Sequence, residues 1–473
     1  NLEMLRSAPF AVGGLLLLRR GLFAELSGFD PDMEGVEAYD LILRAWDKAG
    51  ASGIGHIADV LYHRHAQGGH ARRDGDAVAS AHRRALALHL QRSGFGDDQP
   101  ATLEAGLLPG TFHVRYPVRG NPLVSILVPT RNQVDYLKRS LTSLIDGTGY
   151  ANCEILVLDN GSNDREAIAY LNELKALNAP RLRVLDCAGP FNFSAINNRG
   201  AHAAQGEYLV LLNNDTAVLH EEWLEEMLGI ACQPDVGAVG AKLFYPDGKI
   251  QHAGVILGMN DTPADHPFIG EQADADGYFG RLKLTQEYSA VTAACLLVRR
   301  ALYLELGGLD EQRFQVSFND VDFCLRLRHK GYRNVFTPYA RLLHEGSVSQ
   351  TSQVESSAQE AKRARFAEEQ NRCYDAWRQD IAFDPAYNRN LSSHGRDFLI
   401  EIAPSLALDP EWRPRPRVLA HPADRFGCGE YRVISPMRAL NAAGHVMGWE
   451  TGNYLSPPEL FRMQPDSIVL QRQ

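Results

Sequence analysis

The sequence has few cysteines, no long apolar run and no excess of basic residues. Its seven cysteines are scattered without a CxxC pair, which favours free thiols in a reducing compartment and excludes an obvious zinc site. The longest apolar candidate, AVGGLLLL at 11–18, is far shorter than the roughly 20 residues that a membrane-spanning helix needs. Acidic residues outnumber basic ones 58 to 48, which argues against a protein that binds nucleic acid.

The remaining composition is that of ordinary globular α/β protein. The chain has 473 residues, of which 45% are hydrophobic, so we expect two or three domains rather than one. It begins at Asn1 and ends in DSIVLQRQ, a pattern typical of a strand that has just begun. We therefore expect this sequence to be a piece of a longer protein.

Two stretches of the chain repeat each other. In residues 11–63, AVGG-LLLLRRGLFAELSGFD and EAYDLILRAWDKAG correspond to AVTAACLLVRRALYLELGGLD and NDVDFCLRLRHKG in residues 290–344. We call these stretches the first copy and the second copy. A match of this length indicates the ends of two homologous domains, of which the first lacks its front part.

Between the copies, apolar strands alternate with helices. The predicted strands are 123–130, 153–162, RLRVLDC and 207–212, and the predicted helices are 133–146, 164–177 and 194–204. This alternation predicts a mostly parallel sheet with helices on both faces. Polar clusters follow three strands, at 130–132, 159–162 and 213–215. Turn chemistry explains any one of them, but ligands bind at the carboxyl ends of such strands, so three together predict a site.

These motifs resemble those of the inverting family 2 glycosyltransferases of GT-A fold. The resemblance rests on VSILVPTRNQVDYLKRSLTSL, EILVLDNGSND, FNFSAINNRGAHAAQGEYLVLLNNDT and FNDVDFCLRLRHKGY…LLHEGSVS, which cover about 121–350 in the order of the family. It implies a Rossmann-like GT-A domain that binds a nucleotide-diphosphate sugar. The nucleotide-sugar residues that it implies are Pro129, Thr130, Arg131, Asp159, Asn198, Gly200, Asn213 and Asn214.

The resemblance also implies a divalent metal ion, Mn²⁺ or Mg²⁺. NND at 213–215 matches the DxD position of the family, with Asn213 in place of the first acid, so Asp215 becomes the metal residue and His344 a second ligand. A single carboxylate suffices where phosphates and waters complete the shell. The structural alternatives are a simple turn at 213–216 and a structural histidine.

By the same match, Asp320 is the general base that takes a proton from an acceptor hydroxyl. The acceptor and sugar pocket is implied to include Thr292, Ala293, Ala294 and Asn319. An acid at a helix start is also an ordinary cap, an interpretation that suits Asp322 better than Asp320. In the first copy Ala38 stands at the position of Asp320, with Asp40 and His63 unchanged in type, so that copy lacks this base unless Glu37 replaces it.

For the other polar positions the structural alternatives are an Asx-turn at Asp159, a helix capped by Ser194, and a loop glycine at Gly200. The residues alone leave both interpretations open.

The predicted domain layout divides the chain into five parts. These are 1–95, the end of a truncated GT-A-like domain; 96–120, a linker; 121–350, a complete GT-A domain; 351–410, a helical extension and linker; and 415–473, the start of a GT-B-like domain of the family 4 kind. The last part is predicted from a strand, a glycine loop (Gly427, Gly429, Glu430), a helix and a strand. No Q-x-x-R-W motif occurs, which argues against a processive cellulose-synthase-like enzyme.

The partners implied by the resemblance are a nucleotide-sugar donor and a glycan or lipid-linked glycan acceptor, with no nucleic acid. We expect a cytoplasmic protein, with peripheral association at the inner face of the membrane as an alternative. Two other functions are weighed against this one. A sugar nucleotidyltransferase usually shows a glycine-rich loop after its first strand, which VPTRNQVDYL lacks. A non-catalytic glycan-binding or scaffold protein is compatible with Ala38, but not with the polar groups of the second copy.

Overall fold

The computed structural model describes residues 1–12, 15–58, 75–96, 99–346, 356–407, 409 and 411–471. It divides into two compact units, Asn1–Val255 with Phe268–Ala358, and Ile256–Pro267 with Gln359–Gln473.

The first unit contains a large mixed sheet and a separate two-stranded hairpin. Its strands are β1 (Thr102–Ala105), β2 (Phe112–Arg115), β3 (Val124–Thr130), β4 (Cys153–Asp159), β5 (Leu182–Asp186), β6 (Tyr208–Leu212), β7 (Thr216–Val218), β8 (Val236–Phe244), β9 (Ile250–His252), β12 (Gln286–Tyr288), β13 (Cys295–Arg299) and β14 (Arg333–His344), while β10 and β11 belong to the second unit. Its helices are α1 (Leu2–Ser7), α2 (Arg20–Glu25), α3 (Glu37–Ala49), α4 (Gly75–Arg92), α5 (Val134–Gly147), α6 (Arg165–Ala176), α7 (Phe193–Ala203), α8 (Trp223–Ala231), α9 (Arg300–Glu305) and α10 (Asn319–His329). Short 3₁₀ turns lie at Pro9–Ala11, Pro31–Met33, Ala51–Gly53 and Tyr278–Lys283.

The sheet has ten strands, eight of them in the order β12-β14-β8-β13-β6-β3-β4-β5, with β7 beside β14 and β9 beside β8. Strands β6, β3, β4 and β5 run parallel, as do β8 and β14, whereas β13 is antiparallel to both neighbours. The predicted fold class, α/β with a mostly parallel sheet, is therefore confirmed. The central strands are buried along their length because helices cover the sheet, which explains their continuous apolar runs.

The repeat is visible in three dimensions as a shared helix-loop-helix arrangement. In the second copy Arg326 pairs with Asp322 and donates to the carbonyl oxygens of Leu306 and Gly308. In the first copy Arg44 pairs with Asp40 and donates to the carbonyl oxygens of Leu26 and Gly28. Four equivalent residues thus make the same contacts in both copies.

The segment 96–120, predicted as a linker, contains the antiparallel hairpin of β1 and β2. Phe112, Val114 and Tyr116 are buried in the main hydrophobic core because they alternate toward it along the strand. The first copy also lies in the same compact unit as the sheet. Met33, Val36, Tyr39 and Leu43 of the first copy belong to the same hydrophobic core as the sheet. Helix α1, which precedes the copy, is joined to the sheet by a buried network, in which Arg6 donates to Glu3, Tyr116 and Gln233, and Glu3 is also paired with Arg333.

The second unit contains a parallel sheet of three strands and a separate antiparallel pair of short strands. Its strands are β10 (Ile256–Leu257), β11 (Ala264–Asp265), β15 (Arg417–His421), β16 (Met447–Glu450) and β17 (Ser467–Leu470), and its helices are Ser356–Ala382, Pro404–Ala407, Gly427–Gly429, Ser435–Ala442 and Pro457–Met463, with a π-helical turn at Glu430–Ile434 and a 3₁₀ turn at Met259–Asp261. Strand β15 lies between β16 and β17 and is parallel to both. The predicted order of strand, glycine loop, helix and strand is present, while the GT-B-like assignment stays a prediction.

Candidate functional site

Three parallel strands bring their carboxyl ends to one edge of the large sheet. Thr130, at the end of β3, is in register with Asp159, at the end of β4. Strand β6 is parallel to β3 on its other side, so the polar residues after Leu212 reach the same edge. Asn214 donates from Nδ2 to Thr130 Oγ1 at 3.1 Å, which joins the loop after β6 to the end of β3.

The short strand β7 brings His344 to this loop. Because β7 is antiparallel to the end of β14, Thr216 is in register with His344. Asp215 Oδ1 then lies 3.1 Å from His344 Nε2, and Asn213 Nδ2 lies 3.1 Å from the same nitrogen. The backbone N–H of Glu345 donates to the carbonyl oxygen of Asp215 at 3.0 Å. The predicted metal residues are therefore neighbours in space.

A glutamine orients the histidine ring. Gln251 Oε1 faces His344 Nδ1, and Gln251 Nε2 donates to the backbone carbonyl oxygen of His344 at 3.4 Å. With Nδ1 as the donor, Nε2 of a neutral imidazole carries a lone pair. That lone pair lies on the side of the Asp215 carboxylate.

These donors fit a divalent cation. A lone pair and a carboxylate oxygen that face each other at 3.1 Å repel unless a proton or a cation lies with them. Carboxylate oxygens suit both Mg²⁺ and Mn²⁺, and an imidazole nitrogen suits transition metals. Two protein ligands leave positions for phosphate and water. Within the described ranges, three potential ligands cluster only at Asp261, His394 and Glu459, in the second unit.

Asp320 lies at the start of α10 and is tied to the segment before β13. Its Oδ2 accepts from the Ala293 N–H at 3.0 Å and its Oδ1 from the Val321 N–H at 2.9 Å. The carbonyl oxygen of the next residue, Ala294, accepts from the Asn213 N–H at 3.1 Å. Two adjacent residues, Ala293 and Ala294, therefore connect the predicted base to the loop that carries Asp215.

The neighbours of Asp320 have structural contacts. Thr292 Oγ1 accepts from the Ala294 N–H, and the buried Asn319 donates to the carbonyl oxygen of Val316. Asp322 is fully buried and paired with Arg326, as the structural interpretation of that residue expects. Burial raises the pKa of the Cys324 thiol to about 12, so this sulfur stays protonated at neutral pH.

Asp159 combines a turn with an available oxygen. Its Oδ1 accepts from the N–H and the hydroxyl of Ser162, at 2.9 and 2.7 Å, which is the predicted Asx-turn. No described residue donates a hydrogen bond to Oδ2. Pro129 is half-buried within β3, and Arg131 is exposed at the same edge, with no ion pair to any residue that the structure describes.

Asn198 and Gly200 lie within α7 rather than at its start. The helix begins at Phe193 and is capped by Asn192, whose side chain accepts from the Ala195 N–H, and not by Ser194. Asn198 accepts from the Tyr303 hydroxyl and donates to the carbonyl oxygen of Leu309, so its amide holds the loop after α9. Gly200 packs on the sheet: an added Cβ would lie 2.6 Å from Leu158 Cδ1.

Sequence reasoning missed Gln251 and Asn160. Asn160 is buried and donates to the carbonyl oxygens of Cys187 and Gly189, which fixes the edge beside Asp159. Gln251 follows the turn at 245–249, whose Pro-Asp-Gly sequence predicts a hairpin and so could have placed it beside β8. His63, the counterpart of His344, lies outside the described residues.

Comparisons with known proteins identify the family. A family model described as glycosyl transferase family 2 matches residues 125–307. The chain is 40% identical over 382 residues to the uncharacterized protein y4gI of Sinorhizobium fredii, covering 80% of this chain and 41% of that protein. It is also 40% identical over 351 residues to the O-antigen biosynthesis protein RfbC of Myxococcus xanthus, covering 73% and 26%. The chain thus spans less than half the length of these curated relatives.

A solved structure is also similar, namely a mannosyltransferase from Pyrobaculum calidifontis in complex with GDP-Man and Mn²⁺. The TM-score is 0.40 at 17% identity, over 64% of this chain and 74% of that one. The family match runs from β3 to the loop after α9, so it includes Thr130, Asp159 and the loop at 213–215 and ends before Asp320 and His344. Residues 125–307 of the chain are therefore a domain of glycosyltransferase family 2.

Proposed function

We propose that the domain predicted at 121–350 transfers a sugar from a nucleotide-diphosphate sugar to a hydroxyl of a glycan acceptor, with inversion at the anomeric carbon. The observation that carries this proposal is the link between Asp320 and Asp215 through the backbone of Ala293, Ala294 and Asn213. An acid that can accept a proton and an acid that can hold a cation are thereby fixed to one sheet edge.

The donor nucleoside lies at the ends of β3 and β4 in this proposal. The open Oδ2 of Asp159 accepts hydrogen bonds from the base or ribose, while Pro129 and Thr130 form the adjacent wall. The exposed Arg131 guanidinium suits contact with the donor's polar groups. Asn198 and Gly200 have no place in this donor site, since one holds a loop and the other packs on Leu158.

Asp215 and His344 would hold a divalent cation, Mn²⁺ or Mg²⁺, together with the donor diphosphate. When bound, such a cation neutralises the charge that develops on a leaving diphosphate. Without the cation, Asn213 lies within hydrogen-bond distance of His344 Nε2, a contact that a cation on this nitrogen would replace, and Asn214 donates to Thr130. Neither amide adds negative charge. The diphosphate supplies the charge that the protein omits.

Asp320 acts as the general base. The acceptor oxygen attacks C1 of the donor sugar from the face opposite the diphosphate, and its proton passes to the Asp320 carboxylate. The bond from C1 to the acceptor oxygen forms as the bond from C1 to the phosphate oxygen breaks, which inverts the anomeric centre. The Ala293 N–H keeps the carboxylate oriented, and Thr292, Ala294 and Asn319 complete the wall on the acceptor side.

The acceptor class rests on the relatives. The printed name of the Myxococcus xanthus relative assigns that protein to O-antigen biosynthesis, which supports a surface glycan or lipid-linked glycan acceptor here. Among the residues that the structure describes, no helix is long and apolar enough to cross a membrane. Work at the inner face of the membrane therefore stays part of the proposal.

A donor screen tests the proposal. UDP-, dTDP- and GDP-sugars are assayed for transfer and donor hydrolysis with and without Mn²⁺, and calorimetry measures donor binding. We expect Asp320→Asn to abolish transfer but retain donor binding, and Asp215→Asn to weaken metal-dependent binding. The exposed Asp146→Asn is the matched control.

Three results would contradict the proposal. Full transfer by Asp320→Asn would remove the base assignment. Release of pyrophosphate from a nucleoside triphosphate and a sugar phosphate would indicate a nucleotidyltransferase. Glycan binding without any metal-dependent binding of nucleotide sugars would indicate a scaffold.

A further inference from the structure

Gln251 occupies an irregular position in the sheet. Strand β9 is antiparallel to β8, with His252 in register with Leu243 but Ile250 in register with Phe244. Gln251 is therefore the extra residue of a β-bulge between these two pairs. Bulges re-aim a side chain and occur often beside active sites. Here the bulge directs a polar side chain that is only 9% exposed.

The buried Gln251 amide contacts both the imidazole ring and the backbone carbonyl oxygen of His344. Gln251 Oε1 lies against the ring nitrogen Nδ1, and Gln251 Nε2 donates to the carbonyl oxygen of the same residue at 3.4 Å. The second contact fixes which end of the amide faces the ring, because only the nitrogen can donate to a carbonyl. Gln251 Oε1 is thus an acceptor, and His344 Nδ1 must carry the hydrogen.

The chain after His344 keeps room for this amide. Gly346 has φ +61°, and a Cβ there would lie 2.4 Å from Gln251 Nε2. A side chain at 346 would therefore displace the glutamine. The glycine and the bulge are separate features of the backbone, and both serve the same contact.

We propose that Gln251 is a positioning residue that holds His344 as the Nδ1–H tautomer and directs the Nε2 lone pair to the cation beside Asp215. The proposal rests on the proposed function, since that cation belongs to the donor site. Partners of this kind on the far side of a ligating histidine fix its tautomer and orientation, and their loss lowers metal affinity about 10- to 100-fold.

Asn213 supports the same assignment. Its amide nitrogen lies 3.1 Å from His344 Nε2, and an amide N–H donates only to a lone pair. The opposite tautomer would place two N–H groups against each other there, and an Nδ1 lone pair against Gln251 Oε1. In the neutral ring, the contacts with Gln251 and Asn213 both favour the hydrogen on Nδ1. The Asp215 carboxylate then faces the Nε2 lone pair at 3.1 Å, which leaves a place for a cation between them.

The test compares Gln251→Leu, Gln251→Glu and the exposed Gln272→Leu in the full chain. Gln251→Leu removes the acceptor. Gln251→Glu keeps an oxygen for Nδ1–H but loses the donor to the His344 carbonyl. Nitrogen-15 NMR of the metal-free protein reports the tautomer, with the His344 signal assigned by its loss in His344→Ala. Electron paramagnetic resonance, with nucleoside diphosphate present, reports Mn²⁺ affinity and nitrogen coupling.

We expect wild type, Gln251→Glu and Gln272→Leu to show the Nδ1–H tautomer and similar Mn²⁺ affinity. Gln251→Leu should show mixed tautomers and about 10- to 100-fold weaker Mn²⁺ binding. An unchanged tautomer and affinity in Gln251→Leu would overturn the proposal, provided that wild type shows nitrogen coupling that His344→Ala removes. If Gln251→Leu fails to fold, a Gln251→Glu protein with mixed tautomers overturns it equally.

Failure of the proposed function gives a different result. Wild type would then bind no Mn²⁺ with nucleoside diphosphate and would show no nitrogen coupling. That outcome overturns the metal role of His344 and with it the role of Gln251, while the tautomer readout still reports the hydrogen bond itself.

Discussion

Arg326 donates from Nε to Asp322 Oδ2 at 2.8 Å, and the Asp322 carboxylate has no exposed surface. Arg44 and Asp40 repeat this pair in the first copy, where Ala38 replaces Asp320. The two acids of α10 are therefore separated by role: the second maintains the helix and the loop after α9, and the first is free of any ion pair in the part of the chain that the structure describes.

This separation predicts different effects for two similar substitutions. Asp322→Asn leaves the half-buried Arg326 without its carboxylate but with two carbonyl acceptors, so we expect a loss of about 1 to 3 kcal/mol in the free energy of unfolding. Asp320→Asn should leave the melting temperature near that of wild type and remove transfer. Chemical denaturation and transfer assays on both variants check this. A stable Asp322→Asn protein would show that Arg326 does not need this partner.

Gly200→Ala tests whether this residue serves packing or phosphate binding. An added Cβ would lie 2.6 Å from the buried Leu158 Cδ1, so we expect destabilisation of about 1 to 3 kcal/mol. Donor affinity of the folded protein should not change. The double variant Gly200→Ala with Leu158→Val should recover part of the loss because it restores space. Weaker donor binding at unchanged stability would instead support the phosphate-site interpretation.

The first copy should unfold together with the sheet because Tyr39 of the copy donates to the Leu5 carbonyl oxygen of α1, and Glu3 of α1 forms an ion pair with Arg333 at 3.2 Å. Burial acts to raise the pKa of Glu3, but Arg6 and Arg333 lower it below the usual value. A group whose pKa is lowered in the folded protein stabilises it at pH values above the pKa in the unfolded chain. This stabilisation is lost as the pH falls through the pKa in the folded protein. We expect Glu3→Gln to destabilise the protein at pH 7 by about 3 to 5 kcal/mol, with a smaller difference from wild type below pH 4. The measurement is denaturation at both pH values, monitored by the fluorescence of Trp46 and of Trp223. Separate transitions for the two tryptophans in wild type would contradict the prediction.

His394 in the second unit should act in the opposite direction. Burial acts to lower its pKa, but the carboxylates of Glu459 at 2.8 Å and Asp261 at 3.2 Å raise it above the usual value. A group whose pKa is raised in the folded protein contributes its full stabilisation at pH values below the pKa in the unfolded chain. This stabilisation is lost as the pH rises through the pKa in the folded protein.

We therefore expect His394→Gln to lower the melting temperature at pH 5.5 and to have little effect at pH 9. The exposed His445→Gln is the control and should show no such difference. Equal melting shifts for His394→Gln at both pH values would mean that the imidazole acts only through neutral hydrogen bonds.

The sequence predicted the parallel strands and their polar ends because buried strands read as continuous apolar runs and their ends do not. It predicted a helix at 194–204, within one residue of α7, but could not tell whether the Asn198 amide binds a ligand or holds a neighbouring loop. In the structure this amide holds the loop after α9. Gln251 was missed for a different reason: a β-bulge reverses the side-chain direction that alternation predicts, and no residue pattern here marks it.

The segment predicted as a linker contains the hairpin at 102–115, and its apolar residues Phe112, Val114 and Tyr116 alternate with polar ones and are buried. Strands of four residues give too short a pattern to distinguish them from a linker. The repeat, by contrast, was found from sequence alone, since the residues that hold the loop after α9 are the ones that both copies keep.

The pairing of β7 with the end of β14 also sets an order of events during protein synthesis. Strands β3, β4 and β6 are complete once the ribosome has passed Leu212, so the part of the edge that is proposed to bind the nucleoside can form early. His344 is more than a hundred residues further along and arrives only with the last strand of the sheet. Under the proposed function, a nascent or truncated chain that stops before β14 would present Asp215 alone, and full affinity for a metal-bound diphosphate would develop only when the domain is finished.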